Sequence, residues 1–263
     1  MLETDETRIA TAGESEYTDF RARETGSAQG NPLSRRTAIL LLSALLAYAA
    51  VADIYKASRK VFWFDEICAL SVAGRQTLPA IWDALHTSAD SSPPVFDYLE
   101  GWAGRAASNP QIGYRLGSIA GVLCLCFCMF LFARTIVGET AGLMAAIFPL
   151  LTSIGSLYAL EARPYGMLMG CLGLALLAWR KADRLPGAAA LAILLALAVS
   201  LHYYAILAFV PFAAGEAVRW IRTGRFRVAP WAAIILGAFP LVAFWPLLAG
   251  YQAYYKGHLW STA

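Results

Sequence analysis

Seven apolar stretches recur along the chain, at approximately Thr37 to Ile54, Leu116 to Ile136, Ala141 to Leu160, Tyr165 to Trp179, Gly187 to Leu201, Tyr203 to Ile221 and Ala229 to Leu248. An α-helix needs about 20 such residues to cross a hydrocarbon layer roughly 30 Å thick. Backbone groups in lipid find partners only in helices or closed barrels, so repeated long apolar segments leave few folds open. Composition points the same way: 59% of the residues are hydrophobic and the mean hydropathy is +0.54, against roughly 45 to 50% apolar residues in soluble domains. The expected fold is all-α, a polytopic transmembrane helical bundle of about seven helices.

Residues 1–34 are polar and mixed in charge, without apolar periodicity, and read as a disordered cytoplasmic tail. The bundle is expected over residues 35–263. Arg35 and Arg36 precede the first helix and hold the N-terminus in the cytoplasm, and no small-residue cleavage site follows that helix. Further basic residues gather at Arg134, at Arg180, Lys181 and Arg184, and at Arg219, Arg222, Arg225 and Arg227, which fall on every second connection of a seven-helix chain. That alternation places the protein in the inner (plasma) membrane with all these clusters cytoplasmic. The net charge of +3 is spread over them and gives no broad basic face, so nucleic acid is excluded as a partner and membrane lipids are the expected surroundings. The least obvious division is at Ser200 to Tyr204, where two helices meet with almost no loop. A single run there would be about 35 residues, beyond the usual limit of about 25 for one crossing.

Residues 55–113 form the first extracytoplasmic loop. Leu78, Ile81, Trp82 and Leu85 recur at helical spacing, as do Val95, Phe96, Leu99, Trp102, Ala103 and Ala106, while Asp97, Glu100 and Arg105 fall on other faces. These patterns predict amphipathic helices lying flat at the membrane interface. Pro93 and Pro94 read as the start of the second one. Of the five cysteines, Cys124, Cys126 and Cys128 are close in sequence, but Cys126 points away from the other two on a helix, so packing rather than metal binding is expected.

This topology sends all three histidines and the acidic loop residues to one side: Asp65, Glu66, His86 and Asp90 in the long loop, Glu161 and Arg163 in a turn, His202 in a break and His258 in the tail. Asp65 and Glu66 follow the aromatics of Phe-Trp-Phe-Asp-Glu. Helix capping is the plainer reading of that pair, and a general base beside aromatic rings is the functional one. Glu161, Arg163 and Tyr165 stand in Glu-Ala-Arg-Pro-Tyr, where an ion pair would anchor the turn or an arginine fork would grip a lipid phosphate. Tyr203 and Tyr204 suit an interfacial aromatic belt, whereas His202 between two spans is a functional candidate. Trp63 and Trp102 are read as belt residues. Glu66, Glu161 and His202 could bind a divalent cation, but their spacing matches no metal motif, so the metal question stays open.

The order Phe-Trp-Phe-Asp-Glu, Ser-Pro-Pro-Val-Phe-Asp-Tyr-Leu, Tyr-Ala-Leu-Glu-Ala-Arg-Pro-Tyr and Leu-His-Tyr-Tyr resembles the membrane glycosyltransferases of the GT-C superfamily, over about Arg35 to the end. Within that superfamily it is most like the bacterial relatives of protein O-mannosyltransferases and of the aminoarabinose transferase that modifies lipid A. The resemblance implies an inverting enzyme that moves a sugar from a polyprenyl-phosphate carrier to a lipid, glycan or protein acceptor outside the cytoplasm. It implies Asp65 as general base, Glu66 as its support or a sugar ligand, and Arg163 on the donor phosphate, with Glu161, Tyr165 and His202 lining the site. Where many relatives have histidine before the Pro-Pro pair, this chain has Ser91 and Ser92. The chain is also shorter than most such enzymes. A noncatalytic truncated relative is therefore one alternative expectation, and a transporter or flippase of a lipid-linked substrate is another.

Overall fold

The computed structural model describes residues 33–258, with side chains as far as residue 252. Most of the expected 1–34 tail, and the side chain of His258, lie outside the described residues. Within them every regular element is helical. Helix α1 (Arg35–Ala57) starts at Ser34, whose hydroxyl accepts from the Thr37 amide at 3.2 Å. Three shorter helices follow: α2 (Phe64–Ala73), α3 (Leu78–His86) and α4 (Pro94–Ala106). Helix α5 (Pro110–Val137) is capped by the Asn109 side chain. After it come α6 (Glu139–Leu151), α7 (Ser153–Ala159), α8 (Pro164–Arg180) and α9 (Leu185–Leu201). A 3-10 turn (Tyr203–Ala208) leads into α10 (Phe209–Thr223), followed by α11 (Val228–Gly237), α12 (Pro240–Ala243) and α13 (Trp245–His258). The break expected near 200–204 is therefore present, with His202 as its extended pivot.

Three helical units are long and apolar enough to cross a membrane: Arg35–Ala57, Pro110–Val137 and Tyr203–Thr223. Two bent pairs bring the number to five: α6 with α7, at 69°, and Val228–Ala243 with Trp245–Gln252, at 58°. The remaining two of the seven expected spans, α8 and α9, are only 17 residues long. They rise about 26 Å, less than the roughly 30 Å of a hydrocarbon layer. The bend after α6 has a local cause. Pro149 sits inside α6 and supplies no backbone donor. Thr152 then breaks the helix, accepting from the Gly155 amide at 3.1 Å while its hydroxyl donates to the Pro149 carbonyl at 2.9 Å.

The bundle has the polarity of a lipid-immersed protein: small and polar residues inside, large apolar ones outside. Helix α4 shows both kinds of burial, with Phe96 and two acids inside. Asp97 and Glu100 are 0% and 2% exposed, whereas Trp102 is 63% exposed. Leu99 and Tyr98 also face outward. The expected helix is there, with its acids pointing into protein and Trp102 and Leu99 exposed on the other side.

Helices α5 and α8 approach most closely through glycines four residues apart on each. A side-chain carbon at Gly121 would lie 2.1 Å from the Gly166 carbonyl oxygen, and one at Gly170 would lie 2.5 Å from that of Gly121. This is the small-residue packing by which helices associate in membranes. Gly121→Val is expected to force the two helices apart at a cost of about 1–3 kcal/mol. A lowered melting midpoint in detergent would register that cost, and an unchanged midpoint would show that the crossing is not tight.

Candidate functional site

The acidic residues meet at one end of the bundle, where the 58–109 segment packs on α5 and on the turn between α7 and α8. Arg115, fully buried on α5, organises this end. Its Nε and Nη2 donate to the two carboxylate oxygens of Glu66, at 3.0 and 2.8 Å. Nη1 donates to the carbonyls of Ala57 and Lys60, and Nη2 also to that of Val61. All five N–H groups of the guanidinium are thereby used, and its face lies 4.5 Å from the centre of the Phe62 ring.

Glu66 is as fully engaged. Besides Arg115, it accepts from the Ala162 amide at 2.7 Å and from the Trp63 amide at 3.1 Å, the second bond being the helix cap of α2. Burial alone would raise its pKa, but the Arg115 guanidinium and the two amides outweigh burial and hold the carboxyl below its ordinary range. Expected to support the base or bind sugar, Glu66 has no acceptor site left for a ligand or a cation. It ties the first loop to the Glu-Ala-Arg-Pro-Tyr turn instead.

One residue before Glu66, Asp65 is half-buried and turns toward a cavity of about 260 Å3, lined also by Phe64, Cys68, Asp90, Ser91 and Arg163. Arg163 is placed from both sides. Ser118, one turn beyond Arg115 on α5, donates to its carbonyl at 2.9 Å, and Arg163 Nη1 donates to Asp90 Oδ1 at 3.1 Å and to the Asp65 carbonyl at 3.3 Å. Burial disfavours the guanidinium charge, but Asp90 and the Tyr165 hydroxyl beside it more than compensate and raise its pKa. The guanidinium thus lies among Asp90, Tyr165 and the Asp65 carbonyl, on the wall of the cavity that Asp65 also lines. An anion entering that cavity would meet its charge.

Tyr165 stacks on Tyr158 with ring centres 4.6 Å apart and lies 5.3 Å from His202, whose ring is 5.5 Å from that of Tyr204. Four rings thus form a ladder beside Arg163. His202 Nδ1 accepts from the Tyr204 amide at 3.1 Å, so in the neutral ring the proton is on Nε2. Burial, helped by Arg163 and opposed by Asp90, lowers the His202 pKa. Glu161 is buried behind the turn, where burial raises its pKa, Lys60 lowers it and Glu66 raises it. Of the residues read from the sequence, Asp65 and Arg163 share the cavity, Tyr165 and His202 adjoin it, and Glu66 and Glu161 stand behind it.

Three further acids, to which the sequence reading gave no role, join this neighbourhood. Asp90 pairs with Arg163, while Asp97 and Glu100 reach the same region from α4. Both oxygens of Asp97, both of Glu100 and Oδ2 of Asp90 are buried and lack a hydrogen-bond partner among the described residues. Burial pushes the pKa of Asp97 and of Glu100 well above the ordinary carboxylate range; Asp90 adds to the shift at Asp97, Asp97 and Asp90 add to it at Glu100, and Arg163 opposes both. The sequence signal that locates them is their spacing of three, one helical turn, on a helix whose opposite face is aromatic. Among the described residues no group of three or more His, Cys, Asp or Glu side chains is arranged to hold a metal ion.

Below this end, between α4, α5, α8 and α9, lies an apolar groove of about 360 Å3 lined by residues including Leu99, Gly117, Gly121, Met167, Gly170 and Leu201. These positions fall in the halves of α5, α8 and α9 nearest to Arg163 and His202. Comparisons with protein-family models, with curated proteins and with solved structures find no match to this chain. The functional reading therefore rests on the geometry of the site and on the motif resemblance.

Proposed function

We propose that the chain is an inverting, GT-C-like glycosyltransferase that moves a sugar from a polyprenyl-phosphate carrier to an acceptor, on the extracytoplasmic side of a seven-crossing bundle. The observation that carries this reading is that Asp65 and Arg163 line one cavity. A base and an anion-binding group are the two parts that transfer from a lipid phosphate requires. The aromatic ladder of Tyr158, Tyr165 and His202 supports it as a surface for a sugar ring, and the apolar groove supports it as a channel for the carrier chain.

On this reading the Asp65 carboxylate takes the proton of the acceptor hydroxyl as that oxygen forms its bond to the anomeric carbon. The bond from that carbon to the phosphate oxygen breaks, and its electron pair leaves with the phosphate. The Arg163 guanidinium stabilises the charge that grows there, an effect strengthened by exclusion of water. Asp90 fixes the guanidinium through Nη1. No residue other than Arg163 is assigned to the phosphate.

The test is release of polyprenyl phosphate from synthetic sugar donors by the purified chain in liposomes. Asp65→Asn is expected to slow release at least about 100-fold while donor binding persists. Turnover that survives in Asp65→Asn would overturn the assignment of the base. A folded chain that binds the carrier and moves it between leaflets without releasing sugar would replace enzyme by flippase.

A further inference from the structure

The opposite end of the bundle carries a second candidate site, unrelated to Asp65 and Arg163. The C-terminal end of α5, the α8–α9 turn and the start of α1 line two adjoining cavities of about 650 and 430 Å3 there. Leu177, Arg180 and Lys181 line both cavities, Arg184 lines the larger one, and Arg35 and Leu131 line the smaller one. Acids near this end are already matched: Asp183 and Glu216 bind Arg227, and Glu139 lies 3.5 Å from Arg134. Arg180 donates only to the Thr135 hydroxyl, and Arg35, Lys181 and Arg184 make no ion pair among the described residues. Asp183 also lines the larger cavity but is paired with Arg227, so Arg35, Arg180, Lys181 and Arg184 outnumber the acids that face the cleft.

The cleft is also amphipathic. Leu177 and Leu131 form its wall toward the apolar body of the bundle, while the cations sit at the helix ends, one turn or less from the apolar segments. A soluble phosphate would leave the apolar wall bare, and a neutral lipid would leave the cations unmatched. We propose that this cleft binds the phosphate headgroup of an anionic glycerophospholipid, with Arg180 and Lys181 on the headgroup and an acyl chain along Leu177. Basic pockets between membrane helices suit such headgroups on electrostatic grounds. The rival occupant is the chain's own segment 1–32, which carries seven acids and three arginines and leads directly to Arg35. The apolar wall favours the lipid.

Native mass spectrometry of the full chain in a neutral detergent, titrated with phosphatidylglycerol, phosphatidylcholine or inorganic phosphate, tests this. Phosphatidylglycerol is expected to bind in preference to phosphatidylcholine, and Arg180→Gln/Lys181→Gln to weaken it about tenfold or more. The exposed pair Arg222→Gln/Arg225→Gln, on the same end but outside both cavities, is expected to leave binding within about twofold. Equal losses in the two double variants would reduce the effect to general surface charge and overturn the proposal. Full displacement of the lipid by inorganic phosphate would make the ligand a soluble phosphate. A full chain whose seven N-terminal acids are changed to amides, if it gained lipid binding about tenfold or more, would assign the cleft to segment 1–32. None of these readouts depends on glycosyl transfer.

Discussion

Arg115→Ala is expected to loosen the entire acidic end of the bundle and to lower stability by about 3–5 kcal/mol, the cost of leaving one member of a buried ion pair unpaired. The substitution strands Glu66, which is fully buried, and frees three carbonyls at the end of α1 and just after it. Because Glu66 also accepts from the Ala162 amide, the disturbance reaches the turn that presents Arg163. The variant should therefore lose donor binding as well as stability. Replacing both partners separates these effects: Glu66→Leu/Arg115→Met removes the stranded charge but leaves the Ala57, Lys60 and Val61 carbonyls and the Trp63 and Ala162 amides without these partners, so it should recover only part of the stability. Thermal melting in detergent, with limited proteolysis between residues 58 and 63, reads both variants. If Arg115→Ala melted like the parent chain and resisted protease equally, the pair would not be the tie between loop and bundle described above.

Legibility in the sequence followed the range of the interaction. The all-helical architecture, the break at His202 and the helix start at Pro94 depend on local pattern, and the sequence is enough for them. Asp65 and Arg163 share a cavity although 98 residues separate them; what pointed to both was chemical type and the side of the membrane to which alternation sent them. The task of Glu66 could not be read in that way, because its partner Arg115 lies on a different helix and neither residue carries a local mark of the pairing. By length and composition three helical units, or up to five with the bent pairs, can cross a membrane; α8 and α9 are apolar but 17 residues long. The glycines at 117 and 121, and at 166 and 170, were an available signal for the tightest helix pair and hence for the position of Arg163. Helix α4 was expected as an amphipathic interfacial helix, but that its acids turn inward toward Asp90 and Arg163 depends on long-range contacts that no local pattern marks.

Those inward acids carry the last expected result. In the parent chain, stability should fall steadily as pH rises from about 5, and Asp97→Asn/Glu100→Gln should abolish most of that slope. The sign follows from proton counting. A carboxyl whose folded pKa is raised keeps its proton in the folded state at pH values where the unfolded chain has already released it, so rising pH favours unfolding until the folded pKa is reached. Each such carboxyl contributes at most about 1.4 kcal/mol per pH unit within that window. His202, with its lowered pKa, contributes stability that increases with pH, opposite in sign to the two acids. Melting curves of parent and variant from pH 5 to 8 give the difference between the two chains directly. Diverging curves would mean that α4 presents two neutral acids beside the Asp90–Arg163 pair, able to donate hydrogen bonds to an anion that Arg163 holds. Parallel curves would mean that both acids ionise as freely as exposed ones, and the buried negative surplus would then have to be matched by a bound cation.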